Sequence, residues 1–203
     1  VVVRCVWFKM SSGYVVHWTQ FWAGILACIM SSISLIVMII WQLGTNQNIG
    51  LGGGLNWGDM IFNWHPVVMT GGMFCFGIFS MMSYNILPLE HATKKVIHSF
   101  LHICAIACLA VGFYCVNIFY HGRFTTSQGN PNPNSNGYGP NLVVLHSWLG
   151  VVATLVYMLN FTGGLWAFVG RCGFTDESRA TFLTQHRALG IISLFTTGVT
   201  LMT

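Results

Sequence analysis

Long uncharged runs separated by short polar or glycine-rich stretches set the pattern of this chain. Uninterrupted apolarity predicts five membrane-spanning helices, at residues 14–43, 62–84, 95–120, 142–169 and 184–203. At about 1.5 Å of rise per residue, some 20 residues cross a bilayer core of about 30 Å. The third run carries no Asp, Glu, Lys or Arg between Lys95 and His121, so one helix joins a basic membrane face to a histidine on the opposite face. The expected fold is an all-α membrane protein, a transmembrane helical bundle, with residues 1–203 forming a single transmembrane domain.

Local signals refine the runs. Trp22 and Trp41 lie near the ends of the first as interfacial anchors, and Ser31, Ser32 and Ser34 within it suit helix contacts. A loop over residues 44–62 holds Gly52-Gly53-Gly54 and Asp59, and leads into Asn63-Trp64-His65-Pro66. Proline in the first turn of a helix removes no intrahelical hydrogen bond, which places His65 at the start of the second span. Residues 122–140 are rich in Gly, Asn and Pro without apolar periodicity and read as an irregular loop. The chain opens Val-Val-Val-Arg and closes in an apolar run, so it reads as a segment of something longer.

Composition narrows the class. Of 203 residues, 54% are hydrophobic and 6% charged, against about 25% charged in a soluble domain. The net charge of +4 therefore reports helix orientation, and no nucleic-acid partner is expected. The seven cysteines form no Cys-x-x-Cys pair, which points away from a disulfide framework and from covalently attached haem. With alternating spans, Arg4, Lys9, Lys94, Lys95, Arg171, Arg179 and Arg187 fall on the amino-terminal side and only Arg123 on the other. Under the positive-inside rule the amino terminus is cytoplasmic.

Histidines carry the candidate chemistry. His65 and His146 lie near the extracytoplasmic ends of the second and fourth spans, and His98 and His186 near the cytoplasmic ends of the third and fifth. Ionisable groups within a membrane are costly and imply a function; two facing imidazoles can supply both axial positions of a haem iron. Taken singly, each could be an interfacial polar residue or a helix–helix hydrogen-bond donor. Gly150 and Gly190 follow His146 and His186 by one turn, leaving bare helix against which a flat ring could lie. Gly163, Gly164 and Gly198 read as ordinary small-residue packing. His98 and His102 share a face at metal-site spacing without an acidic partner, which leaves zinc as an alternative.

Asn63-Trp64-His65-Pro66, Lys95-x-x-His98, Leu145-His146-Ser147-Trp148 and Ser178-Arg179-Ala180 followed by His186 together resemble the motifs of the cytochrome b-561 family of ascorbate-dependent transmembrane oxidoreductases. The resemblance covers five of that family's six helices. It implies two b-type haems (iron protoporphyrin IX), one held by His65 with His146 and one by His98 with His186. It further implies ascorbate as electron donor near Lys95 and Arg179, and His121 at an acceptor site for monodehydroascorbate or ferric iron. Ascorbate is an anion, which suits a basic mouth formed by Lys94, Lys95 and Arg179. Partners expected are membrane lipid, the extracytoplasmic acceptor, and a second copy or a larger assembly. A di-haem subunit of a larger complex and a histidine-lined metal transporter are the competing readings. The long loop after His121 departs from the family pattern and bears on the acceptor, as does Arg123.

Overall fold

The structure, a computed structural model, describes residues 7–9, 15–44, 52–58, 60–124, 142, 144–170 and 173–203. Two short strands, β1 (Trp7–Lys9) and β2 (Val15–His17), pair antiparallel with Trp7 opposite His17. Six α-helices follow among the described residues: α1 Trp18–Leu43, α2 Trp64–Met69, α3 Gly77–Ile86, α4 His91–Phe124, α5 Leu145–Gly164 and α6 Asp176–Met202. A wider-wound π segment, Thr70–Phe76, joins α2 to α3 in one rod, and another, Leu165–Gly170, extends α5. The described residues thus make five helical rods, in keeping with the all-α class expected.

Among the described residues four stretches are long and apolar enough to cross a membrane: Trp18–Leu43, Ile61–Ile86, His91–Tyr120 and Leu145–Gly170. The protein is an integral membrane protein. α6 has the length, but its polar run through Arg187 leaves it outside that set. Several boundaries differ from the sequence reading. The first helix starts at Trp18 instead of residue 14, because Val15–His17 is taken up by strand pairing. α4 starts at His91 and runs past residue 120. α6 starts at Asp176 instead of near 184, where Thr175 caps it by accepting the Ser178 N–H and Asp176 and Glu177 occupy the positive end of the helix dipole.

The chain divides into two compact units, Val1–Leu55 with Val67–Ala110, and Asn56–Pro66 with Val111–Thr203. In the first, α1 packs on the rod that ends in α3. Gly24 lies against Ile86 and Met82, Gly71 against Leu35, and the buried Cys75 thiol donates to the Ser31 carbonyl at 3.0 Å. Gly72 meets α4 so closely that a Cβ would stand 2.5 Å from Cys108 Cβ and 3.0 Å from the Ala105 oxygen. The serines of α1 turn inward on their own helix: Ser31 and Ser32 donate to the Cys28 carbonyl, and Ser34 to that of Met30. That satisfies them where lipid offers no partner. Leu26, Ile29, Ile33, Ile36 and Ile40 are exposed and form the lipid-facing side. In the second unit, α5 and α6 pack around buried Ala153, Tyr157, Ser193 and Thr197.

Candidate functional site

His65 is the second residue of α2, set there by the tight turn Ile61–Asn63, and Pro66 takes the helix's first turn as expected. Its Nδ1 lies 3.0 Å from the carbonyl of Gly112 on α4, and its ring stacks on Phe62, which rests on Phe119. His146 is the second residue of α5, and its Nδ1 lies 2.9 Å from the carbonyl of Thr200 on α6. A carbonyl can only accept, so each Nδ1 carries the proton and donates it. Each Nε2 is left as a lone-pair donor, the tautomer a metal ligand needs.

The two rings meet edge to face, centroids 6.2 Å apart and planes at 71°. With a metal–nitrogen bond of about 2.0 Å and about 1 Å from Nε2 to ring centre, two trans imidazoles on one metal have centres about 6 Å apart. Beside them the Trp64 indole N–H is buried with no hydrogen-bond partner among the described residues. A carboxylate such as a haem propionate would satisfy it. Ring spacing, tautomers and orphaned donor all fit a haem held between His65 and His146.

His98 is held in the first unit by the α3 residue Ser80. Its Nδ1 lies 2.8 Å from Ser80 Oγ and 3.0 Å from the Ser80 carbonyl, while Ser80 Oγ donates to the His98 carbonyl at 2.9 Å. Tyr84 meets the ring edge-on at 5.2 Å, and His102 does so at 4.5 Å. His102 therefore braces His98. Among the described residues no group of three His, Cys, Asp or Glu could hold a metal ion, so the zinc alternative finds no third ligand.

His186, in the second unit, is packed by Phe168 at 5.6 Å and Phe182 at 6.2 Å. A Cβ on Gly164 would stand 2.8 Å from His186 Cε1, and one on Gly163 would stand 3.0 Å from Phe182. The glycine that makes room for His186 is thus Gly164 on α5, which the sequence reading had assigned to ordinary packing. A Cβ on Gly150 would stand 3.7 Å from Thr200 and one on Gly190 3.5 Å from Asn160, both ordinary contact distances. His98 and His186 belong to different units and are described separately.

The basic residues separate in role. Lys94 is buried, with Nζ donating to the Tyr84 carbonyl at 3.1 Å near the end of α3. It serves there as a helix C-cap, which corrects its place in a basic mouth. Lys95 is half-buried on the next position of α4. Arg179 pairs with Asp176 one turn before it. Along the first turns of α6 runs an open groove of about 410 Å³ between Phe174, Ser178, Phe182 and Gln185. His121 falls in the last turn of α4, but its side chain and that of Arg123 lie outside the described residues, as does most of the loop that follows. Sequence reasoning missed Gly112, Thr200, Ser80 and Gly164. Only Gly164 left a signal, a Gly-Gly pair on a helix facing that of His186.

The family profile described as eukaryotic cytochrome b561 matches residues 64–203. Transmembrane ascorbate ferrireductase 1 of Arabidopsis thaliana is 30% identical over 166 residues, covering 80% of this chain and 61% of the relative. Probable ascorbate-specific transmembrane electron transporter 2 of Oryza sativa subsp. japonica is 39% identical over 111 residues, 54% of this chain and 41% of the relative. A plasma membrane ascorbate-dependent reductase of Xenopus tropicalis is 24% identical over 167 residues, 81% of this chain and 52% of the relative. The chain spans about half the length of the curated relatives it matches.

Proposed function

The chain belongs to the eukaryotic cytochrome b561 family, and on that premise we propose that it carries electrons across a membrane from cytoplasmic ascorbate to an extracytoplasmic acceptor, monodehydroascorbate or ferric iron. The observation that carries the proposal is the edge-to-face His65–His146 pair, 6.2 Å between ring centres, with each Nδ1 on a backbone carbonyl. Haem b, bound in two copies, supplies one-electron redox chemistry, with its potential set by ligand identity, hydrogen bonding and burial. His65 with His146 would hold one copy and His98 with His186 the other, with α6 as the fifth crossing helix and residues 1–203 as one transmembrane domain. The names of the relatives support ascorbate as donor.

His65 and His146 hold a proton on Nδ1 and present Nε2, so neither ring has to reorient to act as a ligand. Phe62 and Phe119 wall off one side of His65, and Phe168 and Phe182 do the same for His186. These aromatic walls leave His65 and His186 half-buried. Seven of the eight basic residues fall on the amino-terminal side, which supports a cytoplasmic amino terminus. On that side Lys95 and Arg179 would attract the ascorbate anion, Arg179 following Ser178 of the groove that starts α6, though not itself lining it, with Phe182 both lining that groove and touching His186. Gly150 and Gly190 would keep the helix surface beside His146 and His186 low, and His121 would serve the acceptor. A second copy of the chain is the expected partner in the membrane.

The experiment is an optical spectrum of the detergent-purified chain, oxidised and then ascorbate-reduced, with a haem-to-protein ratio. Two six-coordinate b haems per chain, reduced by ascorbate, are expected. His65→Ala and His146→Ala should each remove the same one. A spectrum without haem, or two haems surviving both substitutions, would sink the proposal.

A further inference from the structure

The three histidines His65, His146 and His98 each place Nδ1 on a backbone carbonyl of a neighbouring helix. His98 alone of the three also meets a side-chain hydroxyl, that of Ser80, which is fully buried. The bonds close a loop. The carbonyl of Ser80 can only accept, so the His98 Nδ1–H is a donor. It is shared between that carbonyl at 3.0 Å and Ser80 Oγ at 2.8 Å. The hydroxyl hydrogen then goes to the His98 carbonyl at 2.9 Å. One serine thus fixes both the ring and the backbone of His98. A backbone acceptor cannot be changed by substitution, but a hydroxyl can, so the strength of this interaction is set by the sequence.

We infer that Ser80 is the positioning residue of the His98 site, and that its hydroxyl, by accepting a second hydrogen bond from Nδ1, holds the reduction potential of that site below the value the carbonyl alone would give. An acceptor on Nδ1–H makes the imidazole a more basic ligand, which favours the oxidised metal. The effect also runs through geometry, since the loop prevents the ring from rotating about χ2. The inference rests on His98 being an axial ligand.

The test uses Ser80→Ala, Ser80→Thr and His98→Ala in the full chain, with redox titration and low-temperature electron paramagnetic resonance. Ser80→Ala should raise one of the two midpoint potentials, alter one of the two low-spin signals, and loosen one haem roughly tenfold. Ser80→Thr, which keeps the hydroxyl, should restore the first two. Both potentials and both signals unchanged in Ser80→Ala would overturn the inference and leave the ligand assignment standing. Two haems retained in His98→Ala would overturn the ligand assignment and the inference with it. Should the alanine variant fail to assemble, Ser80→Cys, a weaker acceptor, replaces it: a shift of one potential in the same direction supports the inference, and none overturns it.

Discussion

Replacing Gly164 by alanine tests how His186 is held. The added Cβ would stand 2.8 Å from Cε1 and 3.2 Å from Nδ1 of the His186 ring, where ordinary contact begins at 3.4 Å. The ring must therefore retreat by about 0.6 Å. It has little freedom to do so with Phe168 and Phe182 beside it. Overpacking of this kind costs about 1–3 kcal/mol, and at about 1.4 kcal/mol per factor of ten that is about 5- to 150-fold in the affinity of a group ligated by His186. The assay is haem content after gel filtration, with thermal unfolding followed in parallel. Gly71→Ala is the control, because its Cβ would meet Leu35 at an ordinary 3.6 Å. Gly164→Ala should lose one haem and Gly71→Ala should lose none. Wild-type haem content and stability in Gly164→Ala, or a greater loss in Gly71→Ala, would refute the reasoning.

Other expectations follow from the same geometry. Trp64→Phe removes the buried N–H beside His65; if a propionate accepts it, haem retention at that site should fall about tenfold or more, and an unchanged off-rate would show that no carboxylate is bound there. Gly72→Ala forces a Cβ to 2.5 Å from Cys108 Cβ and should destabilise the detergent-solubilised protein by about 1–3 kcal/mol, read as a lowered Tm. Thr175→Ala removes the α6 cap and should cost about 1 kcal/mol in the same assay. Asp176→Asn releases Arg179 from its exposed partner; stability should change by less than about 1 kcal/mol, whereas KM for ascorbate should fall, and Arg179→Ala should raise it.

Four of the five expected spans and the histidines were legible without a structure because lipid imposes a rule visible along the chain: every crossing helix must be apolar for about 20 residues, so an imidazole inside one stands out. His65, His146, His98 and His186 could be singled out in that way, and their motifs carried the family. What surrounds them could not be read. Gly112 and Thr200 act through carbonyls, and every residue has a carbonyl, so no residue type marks them. Ser80 and Gly164 matter through a neighbouring helix, and the choice of Gly164 over Gly190 depends on which helix face turns toward His186. Helix starts failed at residue 14 and near 184 for a related reason: strand pairing with Trp7–Lys9 and capping by Thr175 compete with apolar run length. Lys94 reads as surface charge yet is buried on the Tyr84 carbonyl. The sequence by itself determined the membrane class, the five helices and the identity of the candidate ligands, since hydropathy and residue chemistry are local properties. Only the tertiary structure decided which backbone acceptor fixes each tautomer and which glycine yields space, because those are distances between residues far apart in the chain.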